Sequence, residues 1–143
     1  MSKIAVVYWS GTGNTEAMAN EVAEGAKAAG AEVDVLTASE FGADKMDAYD
    51  AVAFGCPAMG AEELEDSEFE PMFSDCEGKL GGKKIALFGS YGWGDGEWMR
   101  NWVEQMEGAG ATVVGGEDTI CQEAPDADAQ DELKAMGKQL AAI

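Results

Sequence analysis

The sequence contains no histidine and few basic residues, and each of these absences excludes a class of function. Without any His in its 143 residues, the chain lacks the commonest general base and every Ser-His or Cys-His nucleophile arrangement. Only 9 Lys+Arg stand against 28 Asp+Glu, which gives a formal net charge of −19. That balance excludes nucleic-acid binding by phosphate neutralisation and disfavours docking on anionic membranes. We expect instead a macromolecular partner with a basic patch.

Cysteines and long apolar runs are also scarce. Cys56, Cys76 and Cys121 are odd in number and widely spaced, and no CxxC pair occurs. This pattern does not indicate a zinc site, a redox-active pair or a disulfide framework, so we assign the cysteines no functional role. Cys56 follows the end of a predicted strand and is close enough to touch a bound cofactor. The apolar run at residues 4–9 is too short for a signal peptide, and no segment approaches the ~20 residues that span a bilayer. We therefore expect a soluble, cytoplasmic protein.

What the chain does contain is a regular alternation of strand-like and helix-like segments. Short apolar runs at residues 4–9, 33–36, 51–55, 85–89 and 112–114 predict strands, the last with a continuation towards Ile120 left open. Apolar positions at three- and four-residue spacing predict helices over residues 15–29, 97–107 and 126–142, while residues 41–46 suffice for one or two turns. The apolar positions that carry these predictions are Met18, Val22 and Ala26 in the first helix, Trp98, Trp102, Val103 and Met106 in the second, and Leu133, Met136 and Leu140 in the third. Alternation over the whole length predicts an α/β protein with a parallel sheet, and the absence of a linker predicts one domain over residues 1–143.

Ligands of such sheets bind beyond the carboxyl ends of the strands, so the loops after strands one, three and four carry the functional information. The first loop consists of Ser10, Gly11, Thr12, Gly13, Asn14 and Thr15, and it leads directly into a helix. Amide groups at a helix start, together with these hydroxyl and amide side chains, predict an anion pocket. The alternative is a Ser/Thr-rich helix cap, which would account for only one or two of the six residues.

The composition of the first loop indicates which kind of anion the predicted pocket would bind. No Lys follows the glycines, so the loop is not a Walker A motif, and Glu16 stands where the third glycine of GxGxxG would be. No basic residue lies between Lys3 and Lys27, so a phosphate would be held by neutral donors alone. This favours a phosphate that anchors a cofactor and does not itself react.

The other two loops supply apolar and aromatic side chains. After the third strand come Cys56, Pro57, Ala58, Met59, Gly60, Ala61 and Glu62, and after the fourth come Gly89, Ser90, Tyr91, Gly92, Trp93, Gly94, Asp95 and Gly96. Aromatic side chains on a glycine-rich surface loop are costly to leave in water unless they cover something flat, and Met59 supplies a polarizable partner. The alternative is that Tyr91 or Trp93 packs into the core. Together the loops predict a mononucleotide with a large planar ring, bound without metal or histidine.

These three loops, in this order and spacing, resemble those of flavodoxins, specifically the short-chain type of anaerobic bacteria, over essentially the whole chain. The resemblance implies a three-layer sandwich with a five-stranded parallel sheet of order 2-1-3-4-5, and flavodoxins are themselves an example of ligand binding where strand order reverses. It also implies a monomer with non-covalent FMN. Such a protein is a low-potential carrier that shuttles between semiquinone and hydroquinone, passing single electrons between redox proteins.

The resemblance also implies roles for individual residues. The first loop would bind the phosphate, Met59 and Trp93 would flank the ring, and Glu62 would accept a hydrogen bond from the ring N3–H. Backbone groups at Gly92 and Gly94 would approach the pyrimidine edge. No residue has a catalytic or metal-binding role in this interpretation.

Flavodoxins also have a mobile peptide beside the flavin. The resemblance implies that the peptide after Gly60 flips on one-electron reduction, so that its carbonyl accepts from flavin N5–H. Glycine tolerates the positive φ that such a flip needs. Two positions depart from some relatives, because Ala61 replaces Asp and Pro57 replaces Ser. Both affect the expected stability of the semiquinone, and neither opposes FMN binding.

Four other functions compete with that of an electron carrier. A small FMN-dependent quinone or disulfide reductase on the same fold would need a substrate pocket and usually a catalytic proton donor. A Cys-x5-Arg phosphatase is excluded, because Glu62, Gly82 and Ala127 lie six residues beyond the three cysteines. A receiver module would need Asp at the end of the third strand, where Gly55 stands. A plain binding module without redox activity remains open.

Overall fold

The chain alternates strands and helices along its length. The computed structural model describes residues 3–9, 14–46, 48–56, 69–79, 81, 83–91, 97–114, 120–122 and 127–141. The elements are β1 (Lys3–Tyr8), α1 (Asn14–Ala28), β2 (Glu32–Thr37), α2 (Ala43–Met46), β3 (Ala51–Gly55), α3 (Phe69–Cys76), β4 (Lys84–Tyr91), α4 (Glu97–Gly108), β5 (Thr112–Val114), β6 (Ile120–Gln122) and α5 (Ala127–Ala141). Short 3-10 turns follow β2 at Ala38–Glu40 and α3 at Glu77–Lys79.

The strands form one parallel sheet in the order β2-β1-β3-β4-β5. This confirms the order implied by the resemblance, and it places the reversal of strand order at β1, between β2 and β3. The fifth position is shared by two short strands. β5 pairs with the first part of β4, from Lys84 to Ala86, and β6 pairs with its last part, from Gly89 to Tyr91. The continuation left open in the sequence is therefore a separate strand, β6.

Both faces of the sheet are covered, because neighbouring residues of a strand point to opposite faces. Ala5 and Val7 of β1 belong to a buried cluster that includes residues of α3 and α4. Ile4 and Val6 belong to a second cluster formed with α1 and α5. The predicted three-layer sandwich is confirmed, with one helix pair on each side.

The predicted apolar faces of α1 and α5 are buried, while the face of α4 differs in part. The buried residues are Met18, Val22 and Ala26 in α1, and Leu133, Met136 and Leu140 in α5, as predicted. In α4, Trp102 and Met106 are buried as predicted, Val103 is only half-buried, and the buried Met99 was not predicted. The side chain of Trp98 lies outside the described residues. None of the helices among the described residues is long and apolar enough to cross a membrane.

Two glycines allow α1 and α5 to touch through their backbones. A Cβ on Gly25 would lie 2.1 Å from the carbonyl oxygen of Lys134, and a Cβ on Gly137 would lie 2.1 Å from the carbonyl oxygen of Val22. Neither position can hold a larger residue unless the helices move apart. The contact fixes α1 against α5 and therefore fixes the position of the first turn of α1 over the sheet.

Candidate cofactor-binding site

Strands β1 and β3 end side by side at the carboxyl edge of the sheet, next to β4, which continues further. Tyr8 of β1 is the register partner of Gly55 of β3, and Gly55 is the partner of Phe88 of β4. The ladder continues one residue further on two of these strands. The Trp9 N–H donates to the Gly55 carbonyl at 3.0 Å, and the Cys56 N–H donates to the Phe88 carbonyl at 3.2 Å. The loops predicted to form the site after β1 and β3 therefore leave from neighbouring points on this edge.

The first turn of α1 follows β1 and the first loop in the sequence. It has the features of an anion site. The first amides of a helix have no intrahelical partner, and the helix dipole makes this end positive. Thr15, in the first turn, is 1% exposed and is the buried polar residue of the described part of the chain. Lys27, the basic residue of α1, lies in its last turn, about 20 Å away at 1.5 Å per residue. A phosphate here would meet amides and hydroxyls rather than a cation from this helix.

Tyr8 and Glu16 form a hydrogen bond across the first loop. The Tyr8 hydroxyl, at the end of β1, donates to Glu16 Oε2 in the first turn of α1 at 3.0 Å. Partial burial, followed by this hydrogen bond and the Glu16 charge, raises the pKa of Tyr8. The hydroxyl therefore remains a donor at neutral pH. No pattern in the sequence indicates this pair, because its two residues are brought together only by the strand-turn-helix geometry.

The end of β4 corrects the predicted boundary of the third loop. The apolar pattern predicts a strand that ends at Gly89, but β4 continues to Tyr91 because β6 pairs with Gly89, Ser90 and Tyr91. Hydrogen bonding to a neighbouring strand holds these three backbone positions in the sheet. Ser90 and Tyr91, which the sequence assigned to the loop, therefore belong to β4.

A minority of the predicted site residues fall among the described ones. Thr15 and Gly89 are placed and buried, and the backbones of Asn14, Ser90 and Tyr91 are placed in α1 and β4, all at the carboxyl edge. The remaining predicted residues, which lie outside the described residues, are Ser10, Gly11, Thr12, Gly13, Pro57, Ala58, Met59, Gly60, Ala61, Glu62, Gly92, Trp93 and Gly94. Their contacts with a cofactor stay a prediction.

The cysteines differ in their relation to this edge. Cys56 is buried and directly follows β3, next to the site. Cys76 is buried at the end of α3, where burial first, and then the charges of Asp75 and Asp44, raise the pKa of its thiol to about 12. Because the thiolate is the reactive form, Cys76 is an inert core thiol. The side chain of Cys121 lies outside the described residues.

The fold defines a doubly wound α/β protein, and the start of α1 with its buried Thr15 offers a candidate anion site at the carboxyl edge of the sheet. Comparison with known proteins identifies it further. The flavodoxin family profile matches residues 6–137. The chain is 51% identical to the flavodoxin of Megasphaera elsdenii, over 96% of this chain and 98% of that protein. It is 48% identical to the flavodoxin of Clostridium beijerinckii, over 96% of this chain and 99% of that one.

Solved structures agree with these sequence comparisons. The solution structure of two-electron reduced Megasphaera elsdenii flavodoxin superimposes with a TM-score of 0.90, covering 98% of this chain and 99% of that chain. The chain belongs to the flavodoxin family. It is therefore an FMN-binding electron carrier, and the expectation of electron transfer rather than enzymatic turnover is confirmed. The described residues fit FMN, because the start of α1 and the buried Thr15 offer a phosphate the uncharged donors it needs.

Proposed function

We propose that this chain passes single electrons between redox proteins at low potential, holding the FMN phosphate with the loop from Ser10 to Thr15 and the ring between Met59 and Trp93. FMN supplies the one-electron chemistry when bound, and the protein binds it, orients it and sets its potential. The observation that carries the proposal is the start of α1 at the carboxyl edge, with a buried Thr15 and without a cation from its own helix.

Unequal placement of charge supports a low potential. All nine Lys and Arg residues of the sequence belong to the described part of the chain. Six of them lie at the amino edge of the sheet, at strand starts or at helix ends, far from the proposed site: Lys3, Lys27, Lys79, Lys83, Lys84 and Lys138. Arg100 lies in the first turn of α4, on the carboxyl side of the sheet, and Lys45 on the same side donates to the Glu40 carbonyl beyond the end of β2. The sequence adds an acidic run that begins after β3 and continues into the start of α3, with six acidic residues over positions 62–70.

The size of this effect follows from Coulomb's law. A carboxylate ~12 Å from the flavin, at an effective dielectric of ~40, opposes an added negative charge by roughly 0.7 kcal/mol. For a one-electron couple this is roughly 30 mV per carboxylate. Several carboxylates at such a distance would together lower the potential of the second one-electron reduction well below that of free FMN. The phosphate adds to this, since the proposed pocket leaves its charge unneutralised.

The same charge distribution favours a basic partner. A negative carboxyl edge would orient the molecule so that the proposed flavin site meets a positive docking surface. Electron transfer to a small cationic redox protein should therefore slow as ionic strength rises, because salt screens charges over about a Debye length. A rate that does not change between low and high salt would contradict this account.

We further propose that residues 1–143 act as one domain, as a monomer, in the cytoplasm. Mutual repulsion between copies that each carry a formal charge of −19 favours the monomer. The odd number of cysteines, without a disulfide framework, is typical of a reducing compartment. Light scattering of the FMN-loaded protein at low and physiological salt tests the monomer directly.

The experiment that tests the proposal is a stepwise dithionite titration of the FMN-loaded protein, followed by visible absorption. We expect two separate one-electron stages, with the second at a markedly more negative potential. A single two-electron stage would overturn the carrier mechanism proposed here. Sustained NADH-dependent turnover of a quinone would instead favour the reductase alternative.

A further inference from the structure

Both ends of the first loop are tied to the fold by separate contacts. On the strand side, Tyr8 is paired in register with Thr37 of β2 and with Gly55 of β3. The next residue, Trp9, donates its N–H to the Gly55 carbonyl at 3.0 Å. The backbone at Tyr8 is therefore paired with a neighbouring strand on each side. Its ring packs against the cluster formed by α1 and α5.

On the helix side, the contact is the carboxylate of Glu16. Glu16 is an exposed residue of the first turn of α1, and its Oε2 lies 3.0 Å from the Tyr8 hydroxyl, eight residues back along the chain. The hydrogen bond therefore closes a ring around residues 9–15, which include the whole predicted phosphate loop. A carboxylate in the first turn of a helix would otherwise be free to reach the same amides that a phosphate needs.

We infer that Tyr8, through its hydrogen bond to Glu16, positions the start of α1 for the phosphate of FMN. This inference rests on the phosphate site of the proposed function. The bond has two consequences for that site. It fixes the distance between the end of β1 and the first turn of α1, and it engages the Glu16 carboxylate with Tyr8 rather than with the amides of that turn. Tyr8 and Glu16 are positioning residues, and neither needs to touch the cofactor.

The test compares two flavins that differ only in the phosphate. Apoprotein is titrated with FMN and with riboflavin, and the ratio of the two dissociation constants is measured for each variant. Tyr8→Phe removes the donor and keeps the ring in the α1/α5 cluster. We expect it to weaken FMN binding by about 3- to 10-fold and riboflavin binding by less than about twofold, which is the usual effect of losing one solvent-exposed hydrogen bond.

Two substitutions of Glu16 separate its charge from its hydrogen bond. Glu16→Gln and Glu16→Ala both remove the negative charge, and both residues are good helix formers, but only Gln keeps an acceptor for Tyr8. We expect Glu16→Gln to bind FMN more tightly than Glu16→Ala by about 3- to 10-fold. In the Glu16→Ala background, Tyr8→Phe should change the FMN affinity by less than about twofold, because the bond is already absent.

Tyr49 provides a matched control. Its hydroxyl donates to Asp34 Oδ2 at 2.8 Å, and Tyr49 lies just before β3, at the amino edge of the sheet. Tyr49→Phe removes the same kind of bond far from the carboxyl edge, so the ratio of FMN to riboflavin affinity should stay at the wild-type value even if the apoprotein melts at a lower temperature.

The outcomes of these titrations distinguish a failure of the positioning role of Tyr8 from a failure of the proposed phosphate site. If the wild-type protein binds riboflavin as tightly as FMN, the phosphate site itself is wrong. If the wild type prefers FMN but Tyr8→Phe weakens both flavins equally or neither, the site stands and the positioning role is wrong. Additive effects of Tyr8→Phe and Glu16→Ala would also overturn the role, since they would show that the two residues act independently.

Discussion

Replacing Gly137 by Ala tests the backbone contact between α1 and α5. The new Cβ would lie 2.1 Å from the Val22 carbonyl oxygen and 2.7 Å from the Ala26 nitrogen. Both neighbours are backbone atoms, so no side-chain rotation can relieve the overlap. The helices must move apart by roughly 1 Å or more to restore normal carbon–oxygen contact. Such overpacking costs about 1–3 kcal/mol, and the higher end applies to a backbone neighbour.

Alanine also has a favourable effect, which must be subtracted. In a helix interior it is more stable than glycine by about 1 kcal/mol. We therefore expect Gly137→Ala to lower the free energy of unfolding of the apoprotein by about 2 kcal/mol net. For a chain of this size, this corresponds to a fall in Tm of roughly 4–8 °C.

The assay is urea unfolding of the apoprotein followed by far-UV circular dichroism, with Gly108→Ala as the matched control. Gly108 is the last residue of α4 and is exposed, and a Cβ added there would meet no atom within 4 Å. The same substitution there should be neutral or stabilising by up to about 1 kcal/mol. If Gly137→Ala is as stable as the wild type or more stable, the close backbone crossing does not exist in solution.

Two further predictions concern charge. Neutralising the acidic run in the variant Glu62→Gln, Glu63→Gln, Glu65→Gln and Asp66→Asn should raise the potential of the second one-electron reduction by on the order of 100 mV in spectroelectrochemistry. The control variant, which combines Glu32→Gln with Glu107→Gln at the amino edge, should leave this potential nearly unchanged. If the variant of the acidic run also leaves the potential unchanged, the electrostatic account is wrong. Burial raises the pKa of Cys76 to about 12, so the folded state keeps the thiol protonated while the unfolded state ionises at lower pH. Stability should therefore fall as pH rises from about 9 towards 12, and Cys76→Ala should reduce this slope in urea titrations at several pH values; an unchanged slope would show that Cys76 does not cause it.

Much of the fold could be predicted from the sequence, because the central strands are buried on both faces. Such strands appear as continuous apolar runs, and the predicted residues 51–55 and 112–114 agree with β3 and β5. The spacing of Leu133, Met136 and Leu140 likewise identified the buried face of α5. These patterns are local, so a single sequence contains them.

Helix α3 is not among the predicted elements, although its own sequence contains a helical pattern of apolar residues. Phe69, Met72, Phe73 and Cys76 are all buried and have helical spacing, so the signal was present. The acidic run over residues 62–70 is typical of a solvated loop and helix face, and no helix is predicted after it. Pro71 is the third residue of α3, in the first turn, where a missing N–H breaks no intrahelical hydrogen bond.

Other features could not be found from the sequence, because they depend on contacts between distant segments. The extension of β4 to Tyr91 requires pairing with β6, about 30 residues later. Gly25 and Gly137 look like weak points in two helices, yet each is the residue that lets the other helix approach. The pairing of Tyr8 with Glu16 has the same character. In each case the sequence shows the residue type. The role of the residue depends on a partner from a distant segment, which only the folded structure brings into contact.

These contacts bear directly on how a phosphate can be held without a cation. Attraction to a lysine falls off slowly with distance and tolerates small displacements, whereas hydrogen bonds from amides weaken steeply when their geometry changes. A pocket built from neutral donors therefore needs an accurately placed helix start. In this chain the backbone crossing at Gly25 and Gly137 fixes the body of α1, and the Tyr8–Glu16 bond links its first turn to the end of β1. In the proposed function, the absence of a basic residue from the first loop keeps the local charge negative and the reduction potential low, and it makes the packing of α1 part of the proposed phosphate site.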